Sequence, residues 1–246
     1  MKKFFIPFAE DPRMAYAAKL LEAHGMEQTD SLCRCDTVIL PVVTKKQHAE
    51  HIYGKYVCAA APDTQTRALL EANGNRLYDY FSDENYVLQN AYLTAEGILA
   101  LLITESPRSL YKSKVLLTGY GRIGRALARM LLSCGAAVTV CSRSQKSASE
   151  AGFDGCEHIG FTELQRENTF DYIVNTVPSL VFGEAELKAL KKDALLIDAA
   201  SFPGGVDALC AKTLSVRYLR APALPSCFSV QTAGELIGAS ILAQEG

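Results

Sequence analysis

The segment Val115-Leu-Leu-Thr-Gly-Tyr-Gly-Arg-Ile-Gly124 limits what this chain can fold into more than any other stretch. Residues 115–118 have the composition of a buried strand. They run into Gly119, Gly121 and Gly124, spaced G-x-G-x-x-G, and an apolar-periodic segment over residues 123–134 follows until Gly135. Each glycine has its own task in a dinucleotide-binding turn. Gly119 permits the tight turn, Gly121 lets the backbone approach a pyrophosphate, and Gly124 lets helix and strand pack closely. The pyrophosphate would rest on the first N–H groups of the helix, which lack intrahelical partners and form the positive end of its dipole. Tyr120, Arg122 and Ile123 complete the turn and join the three glycines as expected cofactor-binding residues.

Strand and helix signals alternate on both sides of this turn. That pattern predicts an α/β protein of two doubly wound parallel-sheet domains, the second a Rossmann dinucleotide-binding domain. In the first half, residues 3–9 suggest a strand shortened by Pro7. Asp11-Pro12 reads as a helix start, with Asp11 as cap and Pro12 at the first helical position. Met14, Ala17, Ala18 and Leu21 give that helix an apolar face ending at Gly25. Further strands are expected at 37–40, 56–61 and 77–81, with Asp63 capping a helix before the last of them. The polar residues 82–90 read as a boundary, and a long linking helix is expected over 90–104. After the glycine turn, strands are expected at 137–141, near His158, at 171–177, 194–199 and 216–219. Short helices are expected around Ser147, after a Thr162-x-x-Gln165 capping box and over 184–191, and a last helix over 232–242. The expected domains are therefore 1–89, a flavodoxin-like substrate domain joined by the C-terminal helix 229–246, and 90–228, the nucleotide domain with its linking helix.

Composition excludes several classes. A length of 246 residues suits two modest domains, and 49% hydrophobic with 21% charged residues is ordinary for a soluble globular protein. A formal charge of −2 gives no electrostatic argument for nucleic acid or an acidic membrane. No run of the sequence reads as a membrane span, and Pro7 and Glu10 interrupt the apolar start too early for a signal peptide. The eight cysteines read as reduced, small hydrophobic residues of a cytoplasmic protein. Cys33 and Cys35 form C-x-C without a second pair, and His48 and His51 lack a third ligand, so no metal site is expected.

The second strand of the nucleotide domain ends Cys141-Ser-Arg-Ser144. In the NAD form of this fold an acidic residue about 20 positions beyond the turn takes the ribose 2′-OH, whereas an Arg accommodates a 2′-phosphate. No Asp or Glu stands at this strand end. Ser142, Arg143 and Ser144, with Lys146 behind them, suit a phosphate dianion, and NADP is the expected cofactor with NAD as the alternative. Arg143 as a solvated loop residue is the competing explanation.

Ligands of open α/β sheets gather at the carboxyl ends of the strands. Those ends here include Asn175-Thr-Val-Pro-Ser179 and Asp198-Ala-Ala-Ser-Phe-Pro-Gly-Gly-Val-Asp207. Thr176, Val177, Pro178 and Ser201 are expected beside the nicotinamide end of the cofactor. Asp198 either acts in catalysis or holds a neighbouring loop, and Asp207 caps the next helix. Arg13 stands in a first helical turn, where the dipole prefers anions, so a carboxylate-clamping role competes with a structural one.

These blocks, together with Leu224-Pro225, Thr232-Ala-Gly234 and the set Asn90, Thr94, Glu96 and Gly97, resemble the family of dipicolinate synthase A subunits. The resemblance covers roughly residues 86–240; over 1–85 only Asp11, Arg13 and Ile39-Leu-Pro41 follow the pattern. It implies an NADP-dependent oxidoreductase that forms dipicolinate from a dihydro- or hydroxytetrahydrodipicolinate. It also implies sporulation as the setting, a flavoprotein-like B subunit for a partner, and a homo-oligomeric state. Arg13, Thr94 and Thr232 become candidate ligands of the dicarboxylate substrate, and Glu96 and Asp198 candidate catalytic residues. The family's Pro-Gly-Leu-Pro-Gly and following Ala-Pro-Lys are altered: Ala223 and Ser226 replace the two glycines, and Ser229-Val-Gln231 lacks the lysine. The altered segment 223–231 leaves open a dehydrogenase of another small carboxylate, or a silent NADP-binding regulatory subunit.

Overall fold

The computed structural model describes residues 2–8, 10–166 and 169–244. Its contacts divide the chain into two compact units, residues 1–90 with 225–246, and residues 91–224. The first half holds β1 (Lys3–Phe5), α1 (Arg13–Ala23), β2 (Glu27–Gln28), β3 (Thr37–Ile39), β4 (Tyr56–Ala59), α2 (Thr64–Ala72) and β5 (Arg76–Asp79). Then α3 (Glu84–Thr104) leads to β6 (Lys114–Thr118), α4 (Arg122–Ser133), β7 (Ala137–Cys141), α5 (Gln145–Phe153) and β8 (Glu157–Ile159). The series continues through β9 (Tyr172–Asn175), α6 (Glu184–Lys188), β10 (Leu195–Asp198), α7 (Ala208–Thr213) and β11 (Arg217–Arg220). Two last helices, α8 (Leu224–Phe228) and α9 (Val230–Ala243), follow.

Both sheets are parallel, as the alternating pattern predicts. The first has the order β2-β1-β3-β4-β5 and the second β11-β10-β9-β6-β7-β8. Period-two alternation divides each strand between two cores. In the first unit Ile39 and Cys58 join Met14, Leu21, Ile237 and Ile241, while Val38, Leu40 and Val57 join Ile52 and Leu70. In the second, Val115, Leu117, Val174 and Ile197 pack with Ala95, Ile98, Leu102 and Leu127. Leu116, Ile173 and Leu196 face Leu164, Phe182 and Leu187.

Several boundaries differ from expectation, each for a physical reason. The segment 82–90 is not a loop: α3 starts at Glu84, because Asp83 accepts from the Asn85 N–H at 2.9 Å and starts the helix. By length and composition α3 is apolar enough to cross a membrane, which was not apparent from the sequence, but Ala95, Ile98 and Leu102 are buried in the core of the second unit. The N-cap position of α1 is Pro12, one residue later than expected; Asp11 accepts from the Arg13 N–H at the helix start at 3.1 Å and also grips that residue's side chain. The capping interaction expected at Thr162 forms two residues earlier, where Glu163 Oε2 accepts from the Gly160 N–H at 2.7 Å. Asp63 and Asp207 do cap their helices, accepting from Thr66 N at 2.7 Å and Cys210 N at 2.9 Å. The two-residue β2 and the short α8 are too brief for periodicity to reveal.

Helix α9 seats on α1 through small residues. A Cβ on Gly234 would stand 2.3 Å from the Arg13 carbonyl oxygen and 2.6 Å from Tyr16 Cβ, and one on Gly238 3.2 Å from the Ala17 carbonyl oxygen. We expect Gly234→Ala to destabilise the first unit by about 1–3 kcal/mol, read as a lower denaturant midpoint with unchanged slope.

Candidate functional site

The glycine turn lies where β6 passes into α4. Gly119 has φ +90, and a Cβ there would stand 2.5 Å from Thr176 Oγ1 and 3.0 Å from Val177 Cγ2. Gly124 is packed against the turn itself, since its Cβ would meet the Gly119 carbonyl oxygen at 2.4 Å. Gly121 differs from both: it occupies the N-cap position in extended backbone, with open space where a Cβ would be and no side-chain cap. One glycine of the three thus faces space and two face protein, which matches a turn that lets a phosphate close to the backbone at Gly121. Thr176, donating its hydroxyl to the Thr118 carbonyl at 2.8 Å, ties the end of β9 to the turn. The donor set and the shape therefore fit a dinucleotide.

The last residues of four neighbouring strands form a polar row in register: Thr118, Asn175, Asp198 and Arg220. Thr118 Oγ1 donates to Asn175 Oδ1 at 2.6 Å, and Asn175 Nδ2 donates to Asp198 Oδ1 at 2.8 Å and to the Val177 carbonyl at 3.0 Å. Asp198 is 1% exposed and also accepts from Ala200 N at 3.3 Å and Gly205 N at 3.1 Å. Arg220 donates to the carbonyls of Asp198 and Ala200 at 2.7 and 2.6 Å and stands 3.7 Å from Asp198 Oδ2. Gly204, at φ +93, leaves room for this carboxylate, since a Cβ would come within 2.6 Å of it. Asp198 is thus turned inward and accepts from the loop that carries Ser201. Ser201 and Pro178 are exposed on the loops it braces.

At the end of β7, Ser142 is buried and its Oγ lies 2.9 Å from His158 Nε2. Arg143 is exposed, with its guanidinium carbon 5.5 Å from the centre of the Phe161 ring. Ser144 accepts from the Ser147 N–H at 3.4 Å as the cap of α5, and Lys146 is exposed on that helix 4.0 Å from Glu150. Arg143 and Lys146 offer the exposed cations here. Tyr120 is buried, and Ile123 is partly buried against the core beneath the turn, so their side chains support it from within. Arg122 is exposed at the start of α4.

In the first unit the strand order reverses between β1 and β3, the position at which sheets of this order bind ligands. The loops leaving those two strands meet at Asp11, whose Oδ2 accepts from Val42 N at 3.3 Å. Arg13 closes a two-pronged pair with Asp11, Nε to Oδ1 and Nη2 to Oδ2 both at 2.8 Å, and is 6% exposed. Its Nη1 has no acceptor among the described residues. Thr94 is buried and partnered, Glu96 is exposed on α3, and Thr232 is exposed in the first turn of α9. Among the described residues no group of His, Cys, Asp and Glu is placed to hold a metal, and His48 stacks on Phe8 at 4.2 Å. Asn175 and Arg220 were not singled out from sequence; the signal for Asn175 was an apolar strand run closing on a polar residue, repeated in β6, β9 and β10, while β11, Arg217-Tyr-Leu-Arg220, shows it weakly.

Burial pushes the Asp11 carboxyl up, but the hydrogen bonds and charge of Arg13 outweigh it and hold the group below its ordinary range. A carboxyl lowered on folding adds stability above about pH 4 that is lost as pH falls through the folded value. Arg13→Met removes the side-chain hydrogen bonds and the charge and leaves only the backbone N–H groups of residues 13 and 42 against burial, so the carboxyl is held less low and its stabilising contribution shrinks. Thermal melts between about pH 3 and pH 7 are expected to show a weaker gain with pH in the variant than in the wild type; identical acid limbs would count against the pair.

Residues 99–202 match the family model "D-isomer specific 2-hydroxyacid dehydrogenase, NAD binding domain". The A subunit of dipicolinate synthase from Bacillus subtilis (strain 168) is 28% identical over 214 residues, covering 83% of this chain and 72% of that protein. The crystal structure of the A subunit of dipicolinate synthase from Bacillus halodurans shares the fold with a TM-score of 0.88 at 20% identity, covering 99% of this chain and 97% of the other. The crystal structure of its Bacillus subtilis counterpart does so with a TM-score of 0.84 at 22% identity, covering 100% and 96%. The similarity expected from the motifs is thus present in sequence and in fold. Together these matches support an NAD(P)-dependent dehydrogenase whose dinucleotide-binding segment is of the D-isomer specific 2-hydroxyacid dehydrogenase type.

Proposed function

We propose that the chain is an NADP-dependent oxidoreductase that forms dipicolinate from a dihydrodipicolinate, or from a hydroxytetrahydrodipicolinate once water has been lost. The observation that carries the proposal is the glycine turn braced by a polar row at four strand ends, in a chain similar to the A subunit of dipicolinate synthase along 83% of its length. In this reading residues 91–224 bind the cofactor, and residues of both units, 1–90 with 225–246 and 91–224, contribute to substrate binding. The α4 N-terminus at Gly121 receives the pyrophosphate, and Thr176, Val177, Pro178 and Ser201 border the nicotinamide end. Ser142, Arg143, Ser144 and Lys146 receive the adenosine ribose and its 2′-phosphate. Arg143 over Phe161 is held ready for a phosphate at little entropic cost.

When bound, the oxidised nicotinamide supplies a hydride acceptor. The dihydropyridine ring gives up one hydride and one proton, and aromaticity of the product drives the step. In the first unit Arg13 directs Nη1 to a substrate carboxylate, its charge partly balanced by Asp11, and Thr232 adds a hydroxyl. In the second, Thr94 adds a hydroxyl and Glu96 takes the proton, while Asp198 positions the 199–205 loop. A flavoprotein-like B subunit for a partner, a homo-oligomeric state and a cytoplasmic setting complete the proposal.

A second reading, a dehydrogenase of another small carboxylate, is favoured by one observation. Ala223 adopts φ +55, a conformation suited to the glycine that the family pattern places there, so at that position the glycine-favouring backbone is kept while the residue has changed. Freshly made dihydrodipicolinate with NADP is expected to yield NADPH; no turnover, with turnover in a screen of other small carboxylates, would select the second reading. Arg143→Ala is expected to weaken NADP binding about 10-fold or more while leaving NAD binding unchanged. Equal loss for both would refute the 2′-phosphate assignment.

A further inference from the structure

The side chain between the first two glycines of the turn points away from the phosphate position and into protein. Tyr120 is 4% exposed, and its hydroxyl donates to Asp154 Oδ2 at 2.6 Å. Asp154 is the C-cap residue of α5, and its other oxygen accepts from Arg129 Nη2 at 3.4 Å. One turn earlier on α4, Arg125 donates Nε to the Tyr120 carbonyl at 3.3 Å, lies over the Tyr120 ring at 5.7 Å and pairs through Nη2 with Glu150 of α5. Glu150 in turn stands 4.0 Å from Lys146, in the first turn of α5. These contacts form a ladder between two helices whose N-terminal ends flank different parts of a bound dinucleotide. Burial and the Asp154 bond push the Tyr120 hydroxyl up, while that bond holds Asp154 low, so donor and acceptor keep their roles across the neutral range.

We propose that Tyr120, Arg125, Glu150 and Asp154 are positioning residues that lock the pyrophosphate turn to α5, fixing the distance between the Gly121 phosphate seat and the Arg143–Lys146 ribose seat before cofactor binds. The proposal rests on the assignment of the Gly119–Gly124 turn to a dinucleotide. A ligand that spans both seats gains from their fixed spacing, because no ordering of one seat against the other accompanies binding. A ligand that occupies one seat gains nothing from it. The strap therefore distinguishes whole dinucleotides from fragments.

The test compares wild type, Tyr120→Phe and Asp154→Asn by calorimetric titration with NADPH, NADH and adenosine 2′-monophosphate. Tyr120→Phe keeps the ring packing and removes one hydrogen bond. We expect it to weaken the better-bound dinucleotide about 3- to 10-fold and to leave adenosine 2′-monophosphate binding as in wild type. Asp154→Asn retains an acceptor for the tyrosine hydroxyl and is expected to keep most of the dinucleotide affinity. Equal dinucleotide affinity in wild type and Tyr120→Phe would overturn the strap alone, as would a parallel loss for the fragment, which indicates general damage. A wild-type protein that binds neither dinucleotide would overturn the turn assignment and the strap with it.

Discussion

A single buried carboxylate holds the cofactor end of the second unit together. Asp198 sits at the end of a central strand, where a charge left without partners would be costly; it receives donors from Asn175, Ala200 and Gly205, and the Arg220 guanidinium stands 3.7 Å away. Its presence obliges the residues around it. Gly204 and Gly205 must lack side chains, because a Cβ on either would strike Asp198 or Asn175. Asn175 must present its amide nitrogen to Asp198 and its oxygen to Thr118, which orients the end of β9 beside the glycine turn. The loops that follow β9 and β10 are thus held by hydrogen bonds running sideways across four strand ends, perpendicular to the chain's own direction.

The fold class was legible because the parallel strands, buried on both faces, read as short apolar runs bounded by turn residues. The glycine turn was legible because its three glycines answer to three separate steric demands, two of them visible as clashes at Thr176 Oγ1 and the Gly119 carbonyl. Less legible was anything that depends on side-chain direction. Tyr120 and Ser142 stand inside motifs associated with cofactor contact, yet each turns its hydroxyl to another protein residue, Asp154 and His158. Spacing along a chain cannot distinguish a group that faces a ligand from one that braces the residue that does. The same ambiguity attended Asp11, which sequence alone makes a helix cap and which in fact also holds a guanidinium.

Two arginines show how location changes what one side chain does. Arg220 spends two nitrogens on backbone carbonyls and a third near Asp198, so its charge is absorbed by the fold. Arg143 has an aromatic ring beneath it and lies exposed, so its charge is available to a ligand. Arg13 is intermediate: one edge is bound to Asp11 while Nη1 has no acceptor among the described residues. Each guanidinium hydrogen that the protein consumes is one fewer for a ligand, so the three arginines differ in what they can still offer.

The return of α9 to α1 also orders events in time. The face of α1 that bears Ala17 and Leu20 finds its cover in residues 230–243, which leave the ribosome last among the described helices. The second unit, residues 91–224, is continuous in the chain and can condense while that cover is still being made. During synthesis the first unit must therefore keep an apolar surface waiting, and the nucleotide-binding half is complete before it. Cofactor captured at that stage would stabilise the second unit by mass action, ahead of the first unit.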